Sequence, residues 1–242
     1  MIIKNKNSKN SHLFPTALNA HNLKTIFLLL LPGIIILQIP SFVRYAQCLD
    51  SQQKVCDASM GTIQIFLALT FPLFILLGIK LKKGIHWKDF GLGDSRVSWK
   101  KVLALMVMGV GLIIVLNLII SLLARHIPIL GQEQFVFKGD VTFVSILPFA
   151  VFAIIVAPLV EEITFRGFEF SIIGRRFGVL AGAIITSVSF GIVHGQVAAG
   201  IVTAIFGLYL CYMFYKTGSL WPGIALHALN NTIGVVLLLV TK

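Results

Sequence analysis

The chain has 242 residues, 57% of them hydrophobic and only 12% charged. A water-soluble domain runs at about 45–50% apolar and about 25% charged, so disorder, collagen-like repeats and an ordinary soluble enzyme are excluded. Lys and Arg number 20 against 9 Asp and Glu, a formal net charge of +11.

The placement of the cations explains that excess. Lys4, Lys6, Lys9 and Lys24 precede the first apolar run, and Lys80, Lys82, Lys83, Lys88, Arg96, Lys100 and Lys101 lie between the second and third. Such clustering follows the positive-inside rule. No zinc-finger spacing and no basic stretch interleaved with aromatics is present, so nucleic acid is not an expected partner. Three cysteines are too few for a disulfide scaffold or a structural zinc site. Cys211 lies inside an apolar run and reads as a small packing residue. Cys48 and Cys56 share one polar loop, where they either pair outside the cytoplasm or stand as two separate thiols.

In chain order, apolar runs fall near 25–43, 59–81, 102–124, 141–160, 178–194, 197–215 and 220–240. Each approaches the ~20 residues that cross a hydrocarbon layer, and lipid obliges them to be helices. The first is read as an uncleaved span, because Tyr45–Cys48 is a poor cleavage site and further spans follow. The expected fold is all-α, a polytopic transmembrane helical bundle of about seven to eight spans, the eighth being a short helix around 163–174. Basic loops alternate with balanced ones, which predicts a multi-pass protein of the cell membrane with its N-terminus in the cytoplasm. Within 197–215, Ala199, Thr203, Gly207 and Cys211 recur every four residues. Close helix packing explains small residues on one face better than a groove beside a substrate.

Ionisable groups at membrane depth are costly, by ~2.5–3.5 kcal/mol each. Here they concentrate in the C-terminal half: Glu161, Glu162, Arg166, Glu169, His194 and His227. Glu162 and Arg166 are four apart, so they share a helix face and can pair. Glu161 lies about 100° round the helix and is left free, which suits a general base. Read structurally, both carboxylates instead belong to an ion-pair network with Glu169. If the chain reverses around Arg175–Gly178, Glu161 and His194 fall at equal depth on adjacent antiparallel helices, placed to hold and deprotonate one water. His227 and Asn231, again four apart, make a donor pair for an oxyanion; the structural reading is that Asn231 joins helices and His227 lines a polar pocket. The levels of Glu161 and His227 agree only if the Arg175–Arg176 turn protrudes or the helices tilt.

Other chemistries fit less well. Glu161, His194 and His227 form a possible zinc set drawn from three helices, but no H-E-x-x-H is present. Ser187 and Ser189 precede His194 without a G-x-S-x-G turn. No spacing sets Cys211 beside a histidine, and no aspartate lies at span depth.

At these residues the chain resembles the CPBP intramembrane proteases, named for CAAX processing and bacteriocin processing, which include the Ras-converting, CAAX-prenyl type endopeptidases. The family pattern E-E-x-x-x-R, F-x-x-x-H, H-x-x-x-N reads here as Glu161-Glu162-Ile-Thr-Phe-Arg166, Phe190-Gly-Ile-Val-His194 and His227-Ala-Leu-Asn-Asn231. The likeness covers roughly 155–235; the first ~140 residues match only as generic spans. It implies a glutamate-dependent endopeptidase with no metal or other cofactor. Glu161 would be the base, assisted by His194; His227 and Asn231 would bind the oxyanion; Glu162 and Arg166 would support the geometry. The implied partners are the lipid bilayer and a peptide or membrane-protein substrate. The chain then divides into a basic cytoplasmic segment 1–24, N-terminal spans 25–140 and catalytic helices 141–242. The principal alternative is a non-proteolytic bacteriocin-immunity or partner-binding membrane protein. A proton-coupled transporter is a third class, weakened by the lack of an internal repeat.

Overall fold

The computed structural model describes residues 87–127, 147, 149–194 and 197–240. The basic N-terminus, the spans expected near 25–43 and 59–81, and the loop of Cys48 and Cys56 lie outside the described residues. Among the described residues the regular structure is entirely helical.

After a 3₁₀ turn at Trp87–Phe90 comes α1, Trp99–Ala124. It is apolar all round, with mean hydropathy 2.8 in its most apolar window. One stripe of α1 packs on later helices, where Ile113 joins Phe206, Leu210, Met213 and Leu226 in a buried cluster. Leu103, Val107, Ile114 and Leu118 face outward. A helix with that much outward apolar surface suits lipid rather than water.

A single helical rod then occupies 149–177. It begins in a π-helical stretch Phe152–Val156, tightens into α2 (Ala157–Glu162), widens into a second π stretch Ile163–Phe170, and ends as α3 (Ser171–Phe177). The backbone stays right-handed helical at Val156, Glu162 and Phe170. A separate short helix near 163–174 is therefore not found: it is the continuation of the rod. The cause is local. Pro158 lacks the N–H that an unbroken α ladder would direct at residue 154. The chain takes this up in the wider i→i+5 turns of the π stretch just before it, without breaking.

The rod stops at Gly178, whose φ of 96° is reached without Cβ strain only by glycine. The chain reverses there, as expected, into α4 (Val179–Ile192). A Cβ on Gly182 would come within 2.7 Å of the Gly174 backbone, and the rings of Phe165 and Phe190 meet at 5.0 Å. In this register Glu161 falls level with His194. Next come α5 (Val197–Thr217) and α6 (Trp221–Val240). By length and composition, α1 and α5 are the two described helices long and apolar enough to cross a membrane.

The α4–α5 contact is closer than side chains usually permit. A Cβ on Gly191 would sit 2.5 Å from the Gly200 carbonyl oxygen and 2.9 Å from the Ala204 methyl. Small residues thus do serve helix packing, but along Gly200, Ala204, Gly207 and Cys211 rather than the strict four-residue line. Four residues turn an α-helix by about 400°, so a four-residue line drifts off the contact face. Thr203 accordingly donates its hydroxyl to its own helix, to Ala199 O at 2.7 Å.

The segment after the 3₁₀ turn straps the α5–α6 turn. Leu220 N donates to Gly91 O at 2.8 Å, and Arg96 N to Thr217 O at 2.7 Å. Ser219 Oγ donates to Gly93 O at 2.6 Å. Phe90 plugs a cluster of Ile163, Phe170, Cys211, Phe214 and Leu220. Leu220 also lies against Gly167. Residues 168–177, about 15 Å of helix at 1.5 Å per residue, therefore overshoot the start of α6. That protrusion removes the mismatch in depth between Glu161 and His227.

Replacing Gly191 by Ala should force α4 and α5 apart and cost about 1–3 kcal/mol, the usual range for overpacking. Gly111→Ala on α1, where an added Cβ meets nothing within 4 Å, should leave the thermal midpoint of the purified protein unchanged or raised.

Candidate active site

The six-residue α2 carries both glutamates between the two π stretches. Glu162 and Arg166 pair as their spacing predicts: Arg166 Nη1 donates to Glu162 Oε1 at 3.0 Å. Arg166 is 0% exposed and Glu162 1%. The guanidinium also lies over the Phe190 ring, 4.2 Å from its centroid. Its Nε and Nη2 have no hydrogen-bond acceptor among the described residues. The ring face is their principal electrostatic complement. Gly207 makes the space, since a Cβ there would come 3.0 Å from Nη2.

Glu162 has a second partner that the spacing did not foretell. Its Oε1 also takes His227 Nδ1 at 3.0 Å, and a Cβ on Gly223 would lie 3.3 Å from Oε2. Gly223 and His227 are four apart on α6. That repeat was a readable sign of a face brought close to something polar. Glu162 is thus more than a counter-ion for Arg166: it fixes the orientation of an imidazole from another helix.

The other ring nitrogen of His227, Nε2, lies 3.6 Å from Glu161 Oε2. That is an ion-pair distance, too long for a good hydrogen bond. Glu161 Oε2 is buried and accepts no hydrogen bond among the described residues. The Glu161 side chain is 21% exposed against 1% for Glu162. Adjacent carboxylates therefore differ: one is spent on Arg166 and His227, the other retains a free oxygen.

Asn231 lies one turn beyond His227. Its Nδ2 donates to Ala153 O at 2.8 Å, a carbonyl of the first π stretch, and its Oδ1 accepts from Asn230 at 3.3 Å. The expected side-by-side pair of donors is therefore modified. Sharing a helix face put His227 and Asn231 in one sector, but about two turns of the rod separate their partners, Glu161 and Glu162 from Ala153. One Asn231 amide hydrogen is engaged; the other is free of any bond among the described residues.

His194 closes α4. Its Nδ1 lies 2.7 Å from Phe190 O; a carbonyl only accepts, so Nδ1 carries the proton and Nε2 the lone pair. No hydrogen bond or ion pair joins His194 to Glu161 or His227 among the described residues. It meets the cluster through the Phe190 ring, 4.8 Å from its own, while His227 meets the same ring at 5.7 Å.

The rival groups have other occupations. Ser187 Oγ sits 3.9 Å from Cys211 Sγ, both buried. Glu169 lies close to Ser189 and Arg166 and forms no ion pair among the described residues. Among the described residues, no group of three or more His, Cys, Asp and Glu side chains is arranged to hold a metal ion. Chemically, the cluster offers one free carboxylate oxygen, an imidazole clamped between two carboxylates, and one spare amide hydrogen.

Comparison with known proteins agrees with the motifs. Residues 143–233 match the family model described as Type II CAAX prenyl endopeptidase Rce1-like. A curated relative from Bacillus subtilis (strain 168), "Putative membrane peptidase YdiL", is 30% identical over 83 residues, 34% of this chain and 34% of the relative. The match thus spans about a third of that relative's length. No solved structure matches the chain. Glu161 through Asn231, with all three motifs complete and in order, fall inside the matched segment, and through that segment the chain is similar to the Rce1-like CAAX prenyl endopeptidases.

Proposed function

We propose that the chain is an integral membrane endopeptidase that hydrolyses peptide bonds of membrane-associated proteins or peptides with a water activated by Glu161. The observation that carries this reading is the His227 imidazole, held by Glu162 on Nδ1 with its Nε2 toward the free oxygen of Glu161.

The chemistry follows from the groups present. Water attacks the carbonyl carbon of the scissile amide as its proton passes to Glu161, the general base. The Nε2 lone pair of His194 accepts a hydrogen bond from the same water and orients it. As the carbonyl oxygen gains charge, it is met by His227, donating from Nε2 in its imidazolium form, and by the free amide hydrogen of Asn231. Each such donor is commonly worth ~2.7–4 kcal/mol in the transition state. Glu161 then returns its proton to the departing nitrogen and the C–N bond breaks, giving a carboxyl and an amine terminus. Glu162 and Arg166 act through His227, and Ala153 through Asn231. No step calls on a metal or another cofactor.

The membrane arrangement is a multi-pass bundle of about seven spans with a cytoplasmic N-terminus. Trp87, Trp99 and Trp221 belong to the end that also carries Lys88, Arg96, Lys100, Lys101, Arg175, Arg176 and Lys216. An aromatic belt with an excess of cations supports that end as the cytoplasmic interface.

Two outcomes test the reading. Glu161→Gln should abolish cleavage of a lipid-anchored peptide library, read by mass spectrometry, with a thermal midpoint close to wild type. Cleavage by the wild type should persist in a strong chelator. Full activity in Glu161→Gln overturns the assigned base; equal cleavage, or none, by wild type and Glu161→Ala returns the chain to the immunity or partner-binding reading. Separately, Arg166→Met strands a buried carboxylate and should cost about 3–5 kcal/mol. Adding Glu162→Gln to it should recover part of that loss in a double-mutant cycle of unfolding free energies.

A further inference from the structure

We propose that Phe190 is the positioning residue of the hydrolytic centre: its ring is the common wall against which Arg166, His194 and His227 are set. The inference rests on the endopeptidase reading and gives a role to a side chain that touches no reacting atom.

Phe190 is 0% exposed. The Arg166 guanidinium covers one face of its ring, with 4.2 Å to the centroid. Three further rings meet it nearly edge to face: Phe165 at 5.0 Å and 67°, His194 at 4.8 Å and 77°, and His227 at 5.7 Å and 88°. Those partners come from the rod, from the turn that follows α4 and from α6. An aromatic ring has a negative face and a positive edge. It takes a cation on the face and other rings at a steep angle, and a branched aliphatic side chain reproduces neither preference.

The dependence of His194 is the sharper point. Both side-chain interactions of His194 among the described residues go to Phe190: its Nδ1–H to the carbonyl and its ring to the ring. The carbonyl bond fixes the tautomer, but by itself it leaves the imidazole free to swing about that bond. The phenyl ring removes this freedom. The same ring sets Arg166 and stands beside His227, so the spacing between a histidine just after α4 and the Glu161–Glu162–His227 cluster is transmitted through one side chain. Phe206 is the natural control, since it packs on His227 at 5.8 Å and 85° and, among the described residues, makes no ring contact with His194 and no cation–π contact with Arg166.

The test compares wild type, Phe190→Leu, Phe190→Tyr and Phe206→Leu as full-length protein in detergent micelles. Histidine labelled with ¹⁵N is assigned by single His194 and His227 replacements. In Phe190→Leu the ring-nitrogen signals of both histidines should move. In Phe206→Leu only His227 should move, and Phe190→Tyr should stay near wild type. On the lipid-anchored peptide library, Phe190→Leu should lose about a hundredfold in kcat, the scale of a misplacement near 1 Å. KM should stay within about twofold, as expected for an interaction made only in the transition state, and Phe190→Tyr should recover most of the loss. Unmoved His194 and His227 signals in Phe190→Leu, or a kcat loss no larger than that of Phe206→Leu, would overturn the proposal. Should the leucine variant fail to fold, Phe190→Met, which keeps the bulk with a flexible chain, is judged by the same signals. If the wild type cleaves nothing, the hydrolytic reading fails, while the histidine spectra still decide whether Phe190 positions the imidazoles.

Discussion

A guanidinium with no exposed surface sits inside this bundle, and the structure depends on how its charge is met. Removing an ion from water costs several kcal/mol even after relaxation, and a single partner repays that only with good geometry. Arg166 has Glu162 at 3.0 Å along its own helix and the face of Phe190 at 4.2 Å. Glu162 in turn takes the imidazole of His227. These contacts therefore form a chain across three helices, and each link fixes the next. The rod, α4 and α6 are held in one arrangement by the need to keep that chain whole.

The close approach of the helices serves the same end. Gly207 opens the space that the guanidinium fills, and Gly223 lets α6 come against the Glu162 carboxylate. Gly191 and Gly200 bring α4 and α5 backbone to backbone. In lipid, helices gain little from hydrophobic association and rely on packing and polar contacts. Small residues at the contacts and a buried polar network at the centre are two parts of one solution. The strap at 90–96 adds a third part by tying the α5–α6 turn through backbone hydrogen bonds, with Phe90 inserted below it.

The two glutamates show how adjacent, identical side chains acquire different work. Successive residues on a helix point about 100° apart, so only one of the pair can face Arg166. The neutralised Glu162 becomes a fixed acceptor that orients His227. Among the described residues Glu161 keeps an oxygen without a hydrogen bond, beside an imidazole nitrogen slightly too far away to satisfy it. An unmet acceptor in a buried place is costly in a structural network and useful in a site that must receive a proton. That cost is the physical reason behind the proposal that Glu161 is the base and Glu162 its support.

Composition alone determined that the chain belongs in lipid and that its described part is helical, because so apolar a sequence cannot cover a water-facing surface. Local spacing determined the Glu162–Arg166 pair, the reversal at Gly178 and the equal depth of Glu161 and His194, since each depends only on the helical repeat or on a glycine conformation. Motif spacing also carried the resemblance to the Rce1-like endopeptidases. Spacing within one helix did not reveal the second partner of Glu162, the capture of Asn231 by Ala153, the overshoot of the rod past α6, or the meeting of two histidines on Phe190. Those depend on how separate helices are rotated and shifted against one another. That is set by where small residues let backbones approach and where a buried charge must find its partner, neither of which has a period along the chain.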